Sequence, residues 1–439
     1  MRAMGTGTYR RWLLVVFLLA VSVRLFEFDR SGLRANPLSS EPSEEVYIAQ
    51  AIAAGQGFVT PVRPPNAYVD DPSAYSAPGY PYFLAALIRV AHAVGANPPL
   101  PYSTAIVTNA FLGAAAVALL ASAAGHAAGT ASFWAAALLG SAWPTLIRGS
   151  VRLWDTAFTL LGITFAIWLG ATSTRPAPHL GICLLWGIAC GALTLVNPIL
   201  APLLCVAIAA RVGLSLRDRR IVRSLAVVGL AGMLCVAPWM VRNALVFKRI
   251  IPIRNTFGYA MWVGNLPGSD GTVDTIYRHS PFDNREEATR LAAMGEDKYM
   301  QMRSRQAMRI VRENPRGFLL RTRDRIALYW LGNWRKPTRL FRFVFPMPFG
   351  FNLLKSLLNL LLLAGALAGT FFWVPRRGRL VCWFAIGLLP MPFYVTHVSP
   401  HYRVYVDPVL IALAAGLAST GNILATMRTE RRGRRPSTS

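Results

Sequence analysis

Apolar residues run through this chain in long unbroken stretches, without the alternation of a sheet or the one-sided stripe of a soluble helix. The stretches 12–26, 103–124, 130–146, 153–169, 180–195, 199–214, 224–245, 351–374, 380–396 and 405–427 approach the roughly 20 residues a helix needs to cross a bilayer. The pattern predicts an all-α polytopic membrane protein with about ten transmembrane helices. The apolar run 80–94 carries Arg89 and His92 and is short for a crossing, so it reads as an interfacial helix. The first run does not read as a cleaved leader: no small-x-small site follows it, and Arg24-Leu25-Phe26-Glu27 closes it.

Lys and Arg favour the cytoplasmic side in short loops. With the N-terminus inside and 80–94 not crossing, the arginine clusters at 211–223, 376–379 and 428–435 all fall inside. Making 80–94 a crossing would move them outside. Both termini are therefore expected in the cytoplasm of a multi-pass protein of the cell membrane. Of the acidic residues, Asp218 and Glu430 fall clearly inside, and nearly all the others fall at the outer face. The chain divides into a transmembrane module 1–246 containing a first outer loop 29–102, an extracytoplasmic stretch 247–348, further crossings in 349–427 and a basic cytoplasmic tail 428–439. Within the outer stretch, 285–314 reads as one helix, acidic at its start and basic at its end as the helix dipole favours. Residues 318–334 read as a second, interfacial helix in which Arg321, Arg323 and Arg325 alternate with Tyr329, Trp330 and Trp334.

Composition sharpens this picture. Hydrophobic residues make up 54% of the 439 positions and charged residues 15%, against about 25% charged in soluble domains. The formal charge of +26 is almost all arginine. In a membrane chain it points to lipid phosphates and the membrane surface, with no nucleic acid. The five cysteines all lie in apolar runs, which suits small packing residues better than a disulfide framework or metal site. Phosphate-loop, His-Glu-x-x-His, Gly-x-Ser-x-Gly and Cys-x-x-Cys motifs are absent, which leaves nucleotide hydrolysis, zinc proteolysis and serine-hydrolase chemistry without support.

Chemistry must then come from the few charged groups at span ends. Glu44 and Glu45 follow Ser43, a candidate cap for a helix reaching about Ala54; two acids in a first turn also simply suit the dipole. Arg152 and Asp155 stand three apart at an outer mouth, as an ion pair on one helix face or as functional groups. Arg242 and Asn243 follow Trp239, with Lys248, Arg249 and Arg254 beyond; anchoring at the interface accounts for them equally well. His401 and Arg403 precede Asp407, and His397 lies four residues before His401. Pro400 between the two histidines works against a shared metal and leaves an anion-contacting His/Arg pair. All four groups fall on the outer face. Sugar transfer from a lipid phosphate needs such a mix: a carboxylate to take the acceptor proton and cations to hold the departing phosphate.

Glu44-x-x-Tyr47, Gly55-Gln56-Gly57-Phe58 and Ser76-Ala77-Pro78-Gly79-Tyr80-Pro81 resemble the first outer loop of C-type membrane glycosyltransferases. The likeness is to bacterial members of the family 39 type, similar to protein O-mannosyltransferases and lipid A aminoarabinose transferases. Pro238-Trp239-x-x-Arg242-Asn243, Gly264-Asn265-Leu266-Pro267-Gly268-x-x-Gly271 and His401-Tyr402-Arg403-x-x-x-x-Pro408 extend the resemblance over nearly the whole chain. It implies a C-type (GT-C) helical fold with outer-face interfacial helices and a polyprenyl-phosphate sugar donor. Transfer to a glycan, lipid or protein hydroxyl would proceed by a single inverting displacement. Glu44, Glu45 and Asp155 become the candidate catalytic acids. Arg242, Arg403, His401 and Arg152 become donor-phosphate ligands, and Tyr47, Tyr80, Asn243 and Asn265 become substrate-loop residues. Ser43 stands where the family usually has Asp. The resemblance admits a divalent metal, but this sequence offers no secure ligand set, and no other cofactor is expected. A lipid or sugar transporter, which calls for charges near mid-membrane, and a non-catalytic member of the same fold are the competing readings.

Overall fold

The computed structural model describes residues 6–39, 43–60, 71–97, 99–173, 178–213, 218–269, 271–272, 275, 278–332, 349–373 and 375–419. Pro42, Arg217, Trp334, the last part of the final apolar run and the basic tail lie outside them. The described residues are mainly helical and contain no strand, only isolated bridges between Val59 and Pro72 and between Thr272 and Val398.

The apolar runs form helices α1 (Thr6–Arg30), α4 (Pro99–Ala128), α5 (Thr130–Ala142), α7 (Thr156–Ala171), α8 (Leu180–Val196), α9 (Leu200–Val212), α10 (Arg219–Phe247), α15 (Phe349–Gly369), α16 (Arg376–Leu388) and α18 (Asp407–Ala415). Between them lie α2 (Glu44–Ala53), α3 (Gly79–Ala93), α6 (Pro144–Gly149), α11 (Phe257–Asn265), α12 (Arg285–Met294), α13 (Glu296–Glu313), α14 (Pro315–Leu331), α17 (Met391–Val395) and a 3-10 turn, Pro400–Tyr405. Four stretches are long and apolar enough to cross a membrane: Pro99–Ala128, Arg219–Phe247, Leu353–Phe372 and Arg376–Val395. Shorter apolar helices such as Thr130–Ala142 rise only about 20 Å.

Small residues bring the helices close. A Cβ on Gly187 would meet the Val228 carbonyl at 2.5 Å and one on Gly191 would meet that of Gly232 at 2.7 Å, so α8 and α10 touch backbone to backbone. Gly170 and Gly378 do the same for α7 and α16. Outward, Leu230, Met233, Leu234, Val241 and Leu245 of α10 and Leu185 of α8 stay exposed, a sheath with no packing partner among the described residues.

Two expected elements take a different form. The single helix expected over 285–314 is broken at Gly295, whose φ of +77° no ordinary helical residue adopts. Asn284 caps the first half, accepting from the Glu286 and Glu287 amides at 2.9 and 3.1 Å. The run expected at 153–169 starts late: residues 150–155 form a non-helical bend, and α7 begins at Thr156.

Helices α11–α13 enclose a small core of their own, with Tyr259, Trp262, Leu291, Tyr299 and Met300 buried together. Arg303 lies 3.7 Å over the Trp262 ring and pairs with Glu287. This unit is tied to the first loop through buried Glu296, which accepts from Ser73 Oγ at 2.6 Å, the Ala74 amide at 2.7 Å and Thr60 Oγ1 at 3.0 Å.

Candidate functional site

Three separate segments meet at one end of the bundle. The first is the start of α2. Ser43 adopts extended geometry at its N-cap but does not cap it; its hydroxyl donates to the Leu153 carbonyl at 3.0 Å instead. That bond joins the first loop to the 150–155 bend. Glu44 and Glu45 lie partly exposed in the opening turn, where the dipole favours acids. Glu45 accepts from Ser76 Oγ at 3.2 Å. Tyr47 is partly buried nearby.

The bend is the second segment, and Asn109 shapes it. The wholly buried Asn109 amide donates to the Arg152 carbonyl at 2.7 Å and to the Tyr80 hydroxyl at 2.9 Å. Tyr80, expected among substrate-loop residues, is 1% exposed. Its phenol packs under the bend and does not face a ligand. The bend ends at Asp155, the N-cap position of α7, which accepts from Asn197 Nδ2 at 3.1 Å. Arg152 and Asp155 therefore do not share a helix face, and no ion pair joins them. Asp155 is part-exposed as a residue, but protein crowds its carboxyl. That burial, and next the Glu45 carboxylate, push its pKa up to about 7, against the opposing pull of Arg254 and the Asn197 and Thr159 hydrogen bonds.

The third segment is the 3-10 turn carrying His401. Its imidazole packs 4.4 Å from the Trp154 ring, centroid to centroid, and Arg152 lies 5.9 Å from the same indole. Burial, then the charges of Arg152 and Lys355, hold His401 down to about 4, so it is neutral at pH 7. Burial and then Arg148 lower Arg152, while Glu27 acts the other way. Arg152 and Lys355 thus act on His401 as like charges, and Arg148 acts on Arg152 in turn. Arg24 of α1 is fully buried and donates to the Ala20 carbonyl at 3.0 Å; its Nε and Nη2 have no partner.

Other expected site residues hold the fold and do not face a ligand. Arg242 donates to the carbonyls of Ser73 at 2.6 Å and Phe58 at 3.1 Å and stacks 4.8 Å over Trp239. Asn243, wholly buried, donates to the Ile251 and Ile253 carbonyls at 3.0 and 3.3 Å. Asn265 donates to the Met261 and Val395 carbonyls at 2.8 and 2.9 Å and accepts from Arg325 at 3.0 Å. Arg403, 2% exposed, pairs with Asp407 at 2.9 Å and donates to the Trp330 and Asn359 carbonyls. Backbone carbonyls distant in sequence thus already engage the guanidiniums of Arg242 and Arg403, both expected as donor-phosphate ligands.

Arg254, whose charge acts on Asp155, and Lys355 and Arg148, whose charges act on His401 and Arg152, were under-weighted from sequence. Lys355 had a signal, a lone cation at the outer end of an apolar run. Arg148 had a weaker one, and Arg254 was grouped with anchoring residues. Arg254 is exposed, yet its backbone is fixed: Asn243 and Trp239 hold the Ile253 carbonyl, and the Asn255 amide donates to Ala74 O at 3.0 Å. Among the described residues no group of three or more His, Cys, Asp or Glu could hold a metal ion, so the divalent ion allowed by the resemblance has no ligand set to test. Two open hollows, about 530 Å³ along Gly95–Ser103 and about 520 Å³ along Ser304–Glu313, lie apart from this cluster.

The fold and site together describe a helical protein with apolar spans and an acid–cation cluster where span ends meet. Against family models, curated proteins and solved structures, the chain matches none.

Proposed function

We propose that the chain is a membrane glycosyltransferase of the C-type (GT-C) arrangement. It would move a sugar from a polyprenyl-phosphate donor to an acceptor hydroxyl at the extracytoplasmic rim of the cell membrane. The observation that carries this reading is the pairing of Glu45 with Asp155, under the charge of Arg254, at the end of a bend whose Trp154 packs on His401, itself under the charges of Arg152 and Lys355. Ten helices in this reading cross the membrane, with both termini cytoplasmic. Supporting it, the loops joined by Ser43–Leu153, Asp155–Asn197 and Asn265–Val395 bonds fall at one end, as alternating crossings require. The Tyr9–Ser122 bond at 2.6 Å and the Gly170–Gly378 approach fall at the other.

The chemistry is a single displacement at the sugar's anomeric carbon. Asp155, with a pKa near 7, accepts the acceptor hydroxyl proton. The acceptor oxygen forms the new bond to the anomeric carbon as the bond to the phosphate oxygen breaks. The phosphate leaves with the electron pair, and Arg152, Arg148, Lys355 and Arg254 stabilise its charge. The neutral His401 imidazole can donate a hydrogen bond to it. Glu45 keeps the Asp155 proton affinity high by like-charge repulsion.

The test is purified full-length protein with a panel of polyprenyl-phosphate sugars, following donor consumption. The expected result is turnover of at least one donor, lowered about 10²–10⁴-fold by Asp155→Asn and less by Glu45→Gln. Unchanged turnover in both variants would overturn the assignments. Arg24, charged and without a full set of partners inside a span, is the one feature favouring a transporter instead. Movement of the intact donor across a vesicle membrane, without its consumption, would support that reading.

A further inference from the structure

On the side of the candidate site, the outer unit carries a face the proposed chemistry does not use. One side of α13 is buried through Glu296, Tyr299, Met300, Arg303 and Ala307. The opposite side presents Arg305, Met308, Arg309 and Arg312, exposed and spaced so that one helix face holds them all. With Ser304 and Glu313 they line the open hollow of about 520 Å³. Arg316 continues the face past the turn at Asn314–Pro315, and on α14 the exposed Arg323 pairs with Asp324 at 2.8 Å. Between these charges Leu319, Leu320 and Ile326 are 64%, 44% and 38% exposed. Arg305, Arg309, Arg312 and Arg316 make no hydrogen bond or ion pair to a described residue.

We infer that this face docks on anionic lipid headgroups of the adjacent membrane leaflet. Five arginines against the two carboxylates Glu313 and Asp324 leave it strongly positive, complementary to phosphate. A soluble acidic partner would account for the arginines but would leave Met308, Leu319, Leu320 and Ile326 against water. A bilayer surface takes both, the side chains entering the headgroup layer between the charges. The position fits. Arg325 of α14 bonds the Thr396 carbonyl at 2.5 Å and Tyr329 bonds the Tyr402 carbonyl at 3.2 Å, which fixes α14 to the segment joining α17 and α18. The helix is thereby held at the level of the span ends.

The test uses the full chain in neutral detergent, with bound lipid counted by native mass spectrometry. It is titrated with phosphatidylglycerol, phosphatidylcholine and, as a soluble polyanion, inositol hexakisphosphate. The expected result is preferential binding of phosphatidylglycerol, weakened at least about ten-fold in R305Q/R309Q/R312Q and restored in R305K/R309K/R312K, with phosphatidylcholine binding unchanged throughout. Equal phosphatidylglycerol affinity in wild type and the glutamine variant would overturn the inference. So would arginine-dependent binding of the soluble polyanion without any preference for phosphatidylglycerol, which assigns the face to a soluble acidic partner. The count needs no turnover, so its failure leaves the proposed chemistry standing.

Discussion

Asp155 and Arg24 show how differently buried charge can be handled. Asp155 is crowded but has the Asn197 amide as a donor, and with a pKa of about 7 its carboxyl can gain and lose a proton near neutrality. Arg24 has one backbone acceptor and two idle donors in a closed site next to Gly113 and Ser150. A buried cation with so few partners is a net cost to the empty protein. Arg24→Met, similar in length but apolar, is expected to raise the thermal midpoint of the purified protein in detergent. A lower midpoint would mean that the guanidinium has an anionic partner in the folded state. Arg403 is the opposite case, with a carboxylate and two carbonyls around it; removing such a partner set costs about 3–5 kcal/mol.

At the scale of elements, the site depends on two clamps. Asn109 and Ser43 fix the 150–155 bend, and Arg242 with Glu296 fixes residues 58–60 and 73–74 of the first loop. Arg242→Ala leaves the Ser73 carbonyl without a donor, leaves Phe58 only the Ser73 amide, and removes the stacking on Trp239. It is expected to destabilise by about 2–3 kcal/mol and to make the first loop more sensitive to limited proteolysis, with a normal cleavage pattern as the contrary result. The same clamps explain what could be read from sequence. The helices were legible because unbroken apolar runs of this length fold into helices. Glu45 and Asp155 stood out as acids at the edges of such runs. Arg242 and Arg403 were legible as important but not as clamps, since the carbonyls they hold, Phe58, Ser73, Trp330 and Asn359, lie far away along the chain. The break at Gly295 was carried by a single glycine inside an otherwise continuous helical pattern, and the charge gradient across it masked the break.

For the whole molecule, the bundle sets loops of distant origin against one another, so that an acid from α2 acts on the acid ending the bend before α7, while cations of that bend and of α15 act on the neutral His401 of the 400–405 turn. The central claim is that Asp155, lifted to about 7 by burial and by Glu45, is the base for sugar transfer. Below that pKa the carboxyl is protonated and cannot accept the hydroxyl proton; above it the charged form is available. The most direct measurement is therefore the rate of donor consumption between pH 5 and 9 (roughly two pH units either side of the pKa), for wild type and Asp155→Asn. The account predicts a wild-type rate that climbs through about pH 7 and levels off, and a slow variant whose rate lacks that rise. A variant that keeps both the wild-type rate and the same pH dependence would contradict it.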